Sequence, residues 1–192
     1  MAVQLIVISG RAGSGKTSVA NEMSQMLKRQ NISHAHIDGD NLDAMYPEEP
    51  AADMLLPNLA AMWANYYHLR GVTRLILSGT AVVLEMERVK KAIEWACRET
   101  YHPQGVLLWK TNVMPPALVD GRAFILVVPD TVAAERLRKR EVGSELDSLV
   151  KSGRKMAKVL EEDVGGWARR VHTDNETVRT VAGDILKTAG WI

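Results

Sequence analysis

Several features are scarce in this chain of 192 residues, and each scarcity excludes a class of protein. There is one cysteine, Cys97, so no internal disulfide can form and a disulfide-stapled secreted fold is excluded. No apolar run approaches the roughly 18 residues of a membrane span, and the residues after Met1 lack the basic region of a signal peptide. We therefore expect a cytoplasmic protein with no membrane partner, in which Cys97 is a small core residue of a helix.

An excess of charge of either sign is also absent. The chain has 24 basic and 23 acidic residues, which gives a net charge of +1. Because this charge is too small to attract nucleic acid over the whole surface, we expect no nucleic-acid partner. The apolar fraction of 46% is sufficient for a buried core. The length predicts one domain, and a monomer and a homodimer are both compatible with it.

What the sequence does contain is a glycine-rich stretch, GRAGSGKT, at residues 10–17. An apolar run at residues 3–9 predicts a buried strand before it, and helical spacing at residues 16–29 predicts a helix after it. This context and the G-x-x-x-x-G-K-[ST] spacing are typical of a phosphate-binding loop, in which main-chain N–H groups and a helix N-terminus face phosphate oxygens. Lys16 can then reach the β- and γ-phosphates of ATP, and the Thr17 hydroxyl can ligate Mg²⁺. The predicted ATP-binding residues of this loop are Gly10, Arg11, Ala12, Gly13, Ser14, Gly15, Lys16, Thr17 and Ser18.

Strand and helix patterns alternate along the rest of the chain. Further strands are predicted at residues 34–38, 72–78, 124–128 and 168–172, and helices at residues 59–70, 85–100, 131–141, 144–162 and 176–189. This alternation predicts a mainly parallel sheet with helices on both faces. Residues 101–121 fit neither pattern and are interpreted as an irregular insertion, and residues 173–176, TDNE, are interpreted as the capping box of the last helix.

Two carboxylates, Asp38 and Asp40, follow the predicted second strand. Sites in parallel sheets gather at the carboxyl ends of strands, so these acids are expected to face the phosphate loop. One acid can support Mg²⁺, and the other can orient an acceptor hydroxyl and accept its proton. We assign Asp38 to orienting the acceptor, and Asp40, together with Thr17, to supporting the metal. The two aspartates could also have each other's role. The alternative to a functional site is an Asp-Gly turn whose carboxylates are solvated.

Three stretches together, GRAGSGKT, IDGDNLD and the ILSGT of residues 76–80, resemble the small-molecule P-loop kinases, which include gluconate, shikimate and adenylylsulfate kinases. The resemblance implies a three-layer α/β P-loop NTPase fold with a five-stranded parallel sheet in the order 2-3-1-4-5. It implies ATP-dependent phosphoryl transfer to a small-molecule hydroxyl or phosphate, with residues 1–192 forming one domain and a helical lid at about residues 136–162. It also implies an adenine pocket at the last strand-to-helix loop, where Thr173 and Asp174 lie.

The residues at the end of the third predicted strand, and a motif that is missing, disfavour two other classes of P-loop protein. The strand end reads Ser78-Gly79-Thr80, where many P-loop NTPases carry a metal-supporting aspartate, which disfavours a motor ATPase. The N/T-K-x-D motif of GTPases is missing as well. Two rival functions stay open: a nucleotide-binding switch, and a nucleoside or nucleotide kinase.

A basic segment, ERLRKRE, follows the predicted fourth strand. Kinases of this group typically carry arginines at the root of a lid, so we predict Arg136 and Arg140 as catalytic residues beside Lys16, Asp38 and Asp40. Arg136 and Arg140 share one helix face, whereas Arg138 points elsewhere. The alternative is a solvated basic face.

An aromatic face is predicted on the helix that follows the second strand. Trp63, Tyr66, Tyr67 and Arg70 fall on one side of this helix. They are compatible with a wall for the acceptor and, more simply, with core packing.

Overall fold

A five-stranded parallel sheet lies at the centre of the computed structural model, which describes residues 2–47, 53–98, 100–101, 107–108, 118–140 and 146–192. The strands are β1 (Val3–Ser9), β2 (Ala35–Asp38), β3 (Arg74–Ser78), β4 (Thr100–Tyr101), β5 (Leu107–Leu108), β6 (Val119–Val127) and β7 (Arg169–His172). The helices are α1 (Lys16–Arg29), α2 (Leu55–Arg70), α3 (Met86–Arg98), α4 (Asp130–Arg140), α5 (Leu146–Glu162) and α6 (Val178–Ala189).

The order in the central sheet is β2-β3-β1-β6-β7, and every neighbouring pair is parallel. Because β6 and β7 are its fourth and fifth strands along the chain, the predicted order 2-3-1-4-5 and the predicted α/β class are confirmed. All five strands therefore end at one edge, the edge at which the predicted site residues lie.

Alternate residues of the central strand β1 supply the two halves of the core. Val3, Leu5 and Val7 pack with residues of α2, α3 and α5, whereas Ile6 and Ile8 pack with residues of α1 and α6. This is the twofold periodicity of a strand that is buried on both faces. It produces three layers, with helices above and below the sheet.

Two element boundaries differ from the sequence prediction for identifiable reasons. β6 begins at Val119, five residues before the predicted start, because its polar first half pairs with β1 from Val3↔Val119 onward. The last helix begins at Val178, with Thr177 as its cap, whose hydroxyl accepts the Thr180 N–H at 3.1 Å. The capping box predicted at residues 173–176 is therefore wrong, and Thr173 is available for other contacts.

Two core predictions are confirmed. Cys97 is buried, and its Sγ accepts the indole N–H of Trp63 at 3.3 Å. Trp63 is itself fully buried, so this part of the aromatic face of α2 packs in the core.

The insertion predicted at residues 101–121 lies largely outside the described residues, although β4 and β5 form an antiparallel pair there. Within the described ranges, none of the helices combines the length and the apolar character that crossing a bilayer requires.

Candidate active site

The phosphate loop connects the end of β1 to the start of α1, at the middle of the sheet edge. Gly15 caps α1 with φ of 97°, and a Cβ built there would meet no atom within 4 Å beyond its chain neighbours among the described residues, so the space beside the helix N-terminus is open. Gly13 has φ of 81°, and a Cβ there would lie 2.6 Å from the main-chain oxygen of Ala133 in α4. A side chain at either position would be strained, and at Gly13 it would also push α4 away from the loop.

Lys16 lies in the first turn of α1, and its side chain is only 10% exposed. Its Nζ lies 3.9 Å from Oδ2 of Asp40. Burial lowers the pKa of the Lys16 ammonium, and the charge of Arg140 acts in the same direction, whereas Asp40 and Asp38 raise it. The ammonium is thus poorly hydrated and faces two carboxylates, which makes it a strong electrostatic partner for an incoming anion.

Asp40 is held by main-chain and side-chain groups of Thr80, which follows the end of β3. The Thr80 N–H donates to Oδ1 of Asp40 at 2.7 Å, and the Thr80 hydroxyl donates to Oδ2 at 2.9 Å. Gly79, immediately before Thr80, has no room for a side chain, because a Cβ there would lie 2.3 Å from Cγ2 of Val82 and 3.4 Å from Oδ1 of Asp40. Both carboxylate oxygens of Asp40 are therefore fixed in direction, while its side chain keeps 48% of its surface exposed.

Asp38 faces the other functional side chain of α1. The Thr17 hydroxyl lies 3.4 Å from Oδ2 of Asp38, and Oδ1 of Asp38 accepts the main-chain N–H of Asp40 at 3.2 Å. A hydroxyl and a carboxylate are the hard oxygen ligands that Mg²⁺ prefers, and the remaining ligands of this ion are commonly waters and phosphate oxygens. Thr17 and Asp38 therefore fit a Mg²⁺ ion that accompanies a nucleotide, while the described residues hold no cluster of three or more His, Cys, Asp or Glu side chains that would cage a metal alone.

On the opposite side of the loop, Arg136 of α4 contacts main-chain oxygens. Its Nη1 lies 3.4 Å from the oxygen of Gly13 and 3.1 Å from Oγ1 of Thr173, and its Nη2 donates to the main-chain oxygen of Thr173 at 2.6 Å. The Thr173 hydroxyl in turn donates to the main-chain oxygen of Ser14 at 3.0 Å. In this conformation Arg136 and Thr173 clamp the phosphate loop to the loop after β7.

The other predicted site residues differ in their exposure and contacts. Ser14 is buried, Ser18 is exposed in the first turn of α1, and Ala12 is half-buried. Asp174 follows Thr173, and its Oδ1 lies 4.0 Å from Nδ1 of His172. Arg140 is exposed at the end of α4, near enough to Lys16 for its charge to lower the pKa of that residue.

The side chain of Arg11 leaves the phosphate loop and is only 3% exposed. It forms an ion pair with Asp130 at the start of α4, which also lies 3.1 Å from Nε of Arg154 in α5. Of the predicted contacts of Arg11 with ATP, only a main-chain contact is therefore compatible with this conformation.

The sequence prediction missed Thr80. Its contact with Asp40 depends on the pairing of β2 with β3, which brings the ends of these strands side by side. The only signal in the sequence was the small residue Gly79 immediately before it, since a close approach of two loops needs such a residue.

Comparison of the sequence with protein families and with curated proteins yields two findings. Residues 2–49 match the model of the adenylylsulphate kinase family, a match that covers β1, the phosphate loop, α1, β2 and both aspartates. No curated protein matches the sequence.

Solved structures with the same fold include several kinases. A gluconokinase from Sinorhizobium meliloti 1021 aligns with a TM-score of 0.57 and 19% identity over 98% of this chain and 92% of that chain. A tunicamycin resistance protein from Deinococcus radiodurans aligns with a TM-score of 0.57 and 17% identity over 98% and 96%. The Mycobacterium tuberculosis APS kinase CysC, in complex with AMPPNP and APS, aligns with a TM-score of 0.55 and 17% identity over 97% and 96%.

At these identities the alignments establish the fold. The chain has the three-layer fold found in small-molecule P-loop kinases, and the resemblance seen in the sequence is confirmed at that level.

Proposed function

We propose that the chain is an ATP-dependent phosphotransferase that moves the γ-phosphoryl group to a hydroxyl or phosphate of a small molecule. The observation that carries this proposal is the meeting of Lys16 and Thr17, at the N-terminus of α1, with Asp40 and Asp38 at distances of 3.9 and 3.4 Å. Phosphoryl transfer needs little covalent chemistry from a protein; it needs positioned charge around the transferred group. These four side chains supply such charge at one edge of the sheet.

The geometry favours one assignment of the two carboxylates. Asp38 shares its surroundings with the Thr17 hydroxyl, so we assign Thr17 and Asp38 to Mg²⁺, an ion that would neutralise phosphate charge when bound. Asp40 lies beside Lys16 with both oxygens fixed by Thr80, so we assign it to orient the acceptor and take its proton. This exchanges the roles that the sequence alone assigned to Asp38 and Asp40.

We further propose that the end of α4 together with α5 forms the lid, at about residues 136–162 of a single kinase-like domain. Arg140 is exposed at the end of α4 and close to Lys16, which supports a role in stabilising charge on the transferred group. Arg136 is better suited to holding the phosphate loop, because its guanidinium donates to main-chain oxygens. The main chain at Thr173 and Asp174, rather than the Thr173 hydroxyl, is the proposed contact for adenine.

The test is an assay of ADP formation from Mg·ATP with a panel of acceptors. The panel contains gluconate, shikimate, adenylylsulfate and tunicamycin, chosen from the sequence resemblance and the structural neighbours, together with common nucleosides and nucleoside monophosphates. We expect at least one acceptor to stimulate ADP formation, and mass spectrometry to find that acceptor phosphorylated.

Two variants of helix α1 make the test specific. Lys16→Ala is expected to lower acceptor-dependent turnover about 100- to 1000-fold, because it removes a preorganised charge from the transition state. Arg29→Ala, at the exposed other end of the helix, is the control for loss of a basic side chain. Slow ADP release that no acceptor changes would instead identify a nucleotide-binding switch, and turnover that survives Lys16→Ala would refute the assigned site.

A further inference from the structure

A cavity of about 690 Å³ lies beside β2, the strand at one edge of the central sheet. It is bounded by the end of α1, the turn that follows α1, the strand β2 and the end of α2. This volume is within the range of small-molecule sites. The side chains of the proposed catalytic edge do not line it, so the proposed function does not account for this cavity.

The charged side chains that line this cavity are basic. Lys28 lines it from α1 and Arg70 lines it from α2, and both residues are exposed. Among the described residues that line it, there is no aspartate or glutamate. Within the described ranges, neither cation forms an ion pair or a hydrogen bond. Two unpaired positive charges therefore border one cavity, one on each of its two helical walls.

Capping of the two helices does not account for these cations. A cation in the last turn of a helix can bond the final carbonyl oxygens. Here those oxygens already accept main-chain N–H groups of the residues that follow, at 3.0 to 3.2 Å; the accepting residues are Leu27 and Lys28 in α1 and Tyr66 and Tyr67 in α2. Each helix C-terminus carries about half a negative charge, so two full positive charges exceed the two half charges by about one unit.

Neutral polar groups line the same cavity. Tyr66 lies one turn before Arg70 on α2, and its hydroxyl has no hydrogen-bond partner among the residues that the structure describes. The ring of His36 lines the cavity from β2, and its Nε2 lies 3.2 Å from Oγ of Ser78, while its Nδ1 has no described partner. These groups are available to bond a molecule that the two cations attract.

We propose that this cavity binds a small molecule with two or more negative charges, which pairs with Lys28 on one wall and with Arg70 on the other. Carboxylates and phosphates both suit this pair, because a guanidinium matches two oxygens of one anionic group and an ammonium acts as a point charge. A dianion would neutralise both walls, whereas a monoanion would leave one cation unpaired. This site is separate from the proposed catalytic edge and does not depend on the proposed kinase activity.

The probes are citrate, whose charges are carboxylates, and pyrophosphate, with triethyl citrate as the neutral analogue. Binding is measured by isothermal titration calorimetry at low ionic strength and without Mg²⁺. We expect citrate, pyrophosphate or both to bind with a Kd on the order of 1 mM or tighter, and triethyl citrate to bind at least about tenfold more weakly. The tighter of the two anions identifies the preferred anionic group, and absence of binding by both would overturn the proposal.

Three substitutions locate the binding. Lys28→Met and Arg70→Met each remove one cation, and each is expected to weaken binding at least about fivefold through the loss of a charge-assisted hydrogen bond. Ser33→Trp retains both cations and adds a bulky side chain to the exposed turn that lines the cavity, and it is expected to weaken binding by as much. Arg29→Met is the matched control, because it removes the same charge from the same end of α1, although Arg29 pairs with Glu22 and does not line the cavity.

Two comparisons decide the outcome, once thermal unfolding has shown that each variant is folded. An anion held in the phosphate loop would bind more weakly to Lys16→Ala and equally well to Arg70→Met, whereas an anion held in the cavity shows the opposite pattern. Binding that survives Lys28→Met, Arg70→Met and Ser33→Trp would overturn the proposal. A loss in Arg29→Met as large as that in Lys28→Met would also overturn it, because the anion would then be attracted to the end of α1 in general.

Discussion

The two sides of the phosphate loop hold their charged groups in opposite ways. On the side of β2 and β3, Asp40 is fixed by Thr80 but remains about half exposed, so its oxygens are oriented and also accessible. On the side of β6 and β7, the half-buried guanidinium of Arg136 is directed at main-chain oxygens of the loop and of Thr173. Under the proposed function, the side of β2 and β3 (the acidic side) performs the chemistry, and the side of β6 and β7 (the basic side) maintains the shape of the loop.

The strongest test of this contrast is Asp40→Asn, which retains the shape of the side chain and removes its ability to accept a proton. We expect kcat to fall at least about 100-fold, because a positioned general base contributes that much, with little change in Mg·ATP affinity. Asp38→Asn is the matched substitution two residues earlier, and its expected effect is a higher Mg²⁺ concentration for half-maximal activity. If instead Asp38→Asn lowers kcat at saturating Mg²⁺ and Asp40→Asn shifts the Mg²⁺ requirement, the two roles are reversed.

The next prediction concerns the basic side and uses Arg136→Met. The substitution removes the guanidinium donor to the part-buried main-chain oxygens of Gly13 and Thr173, so we expect the free energy of unfolding to fall by about 1–3 kcal/mol. The affinity for Mg·ATP should weaken as well, because the loop loses its clamp. Arg138→Met is the control on the same helix, since Arg138 is exposed. Unchanged stability of Arg136→Met, combined with a large loss of kcat, would place Arg136 among the catalytic groups, as the sequence alone predicted.

The acidic side can be altered more gently with Thr80→Val, which keeps the main-chain donor to Asp40 and removes the hydroxyl donor. A hydrogen bond to a charged group is worth about 1.5 kcal/mol or more, so kcat is expected to fall about tenfold while KM for ATP is unchanged. Thr80→Ser restores the hydroxyl and should restore most of the rate. A loss of rate that Ser does not rescue would mean that packing, not the hydroxyl, is what Thr80 contributes.

Much of this arrangement could be read from the sequence because it depends on local chemistry. The phosphate loop is continuous in the chain, and Asp38 and Asp40 follow a strand whose end must lie at the same edge. The contacts of Thr80 and Arg136 could not be predicted in the same way. They join residues 40 and 37 positions apart, and they depend on which loops the sheet brings together.

Arg11 shows a different limit of sequence reasoning. Its place inside the GRAGSGKT motif predicted a contact with phosphate, because every residue of such a loop lies near the nucleotide. Its side chain pairs with Asp130 at the start of α4, so the contact with the nucleotide that remains a prediction is one by its main chain. Motif membership constrains the path of the main chain, whereas the direction of a side chain is set by the partners that the fold supplies.

The smallest expected effect belongs to Thr173→Val, the counterpart on the basic side of Thr80→Val. The hydroxyl of Thr173 donates to the main-chain oxygen of Ser14 at 3.0 Å and lies 3.1 Å from Nη1 of Arg136, in a buried position. Its loss is expected to reduce the free energy of unfolding by about 1 kcal/mol, measured by urea denaturation, and by more than Thr80→Val does. A Thr173→Val protein of unchanged stability with weakened ATP affinity would mean that the hydroxyl turns toward the nucleotide when ATP binds. The contrast between a basic side that maintains the shape of the loop and an acidic side that performs the proposed chemistry would then apply only to the protein without bound nucleotide.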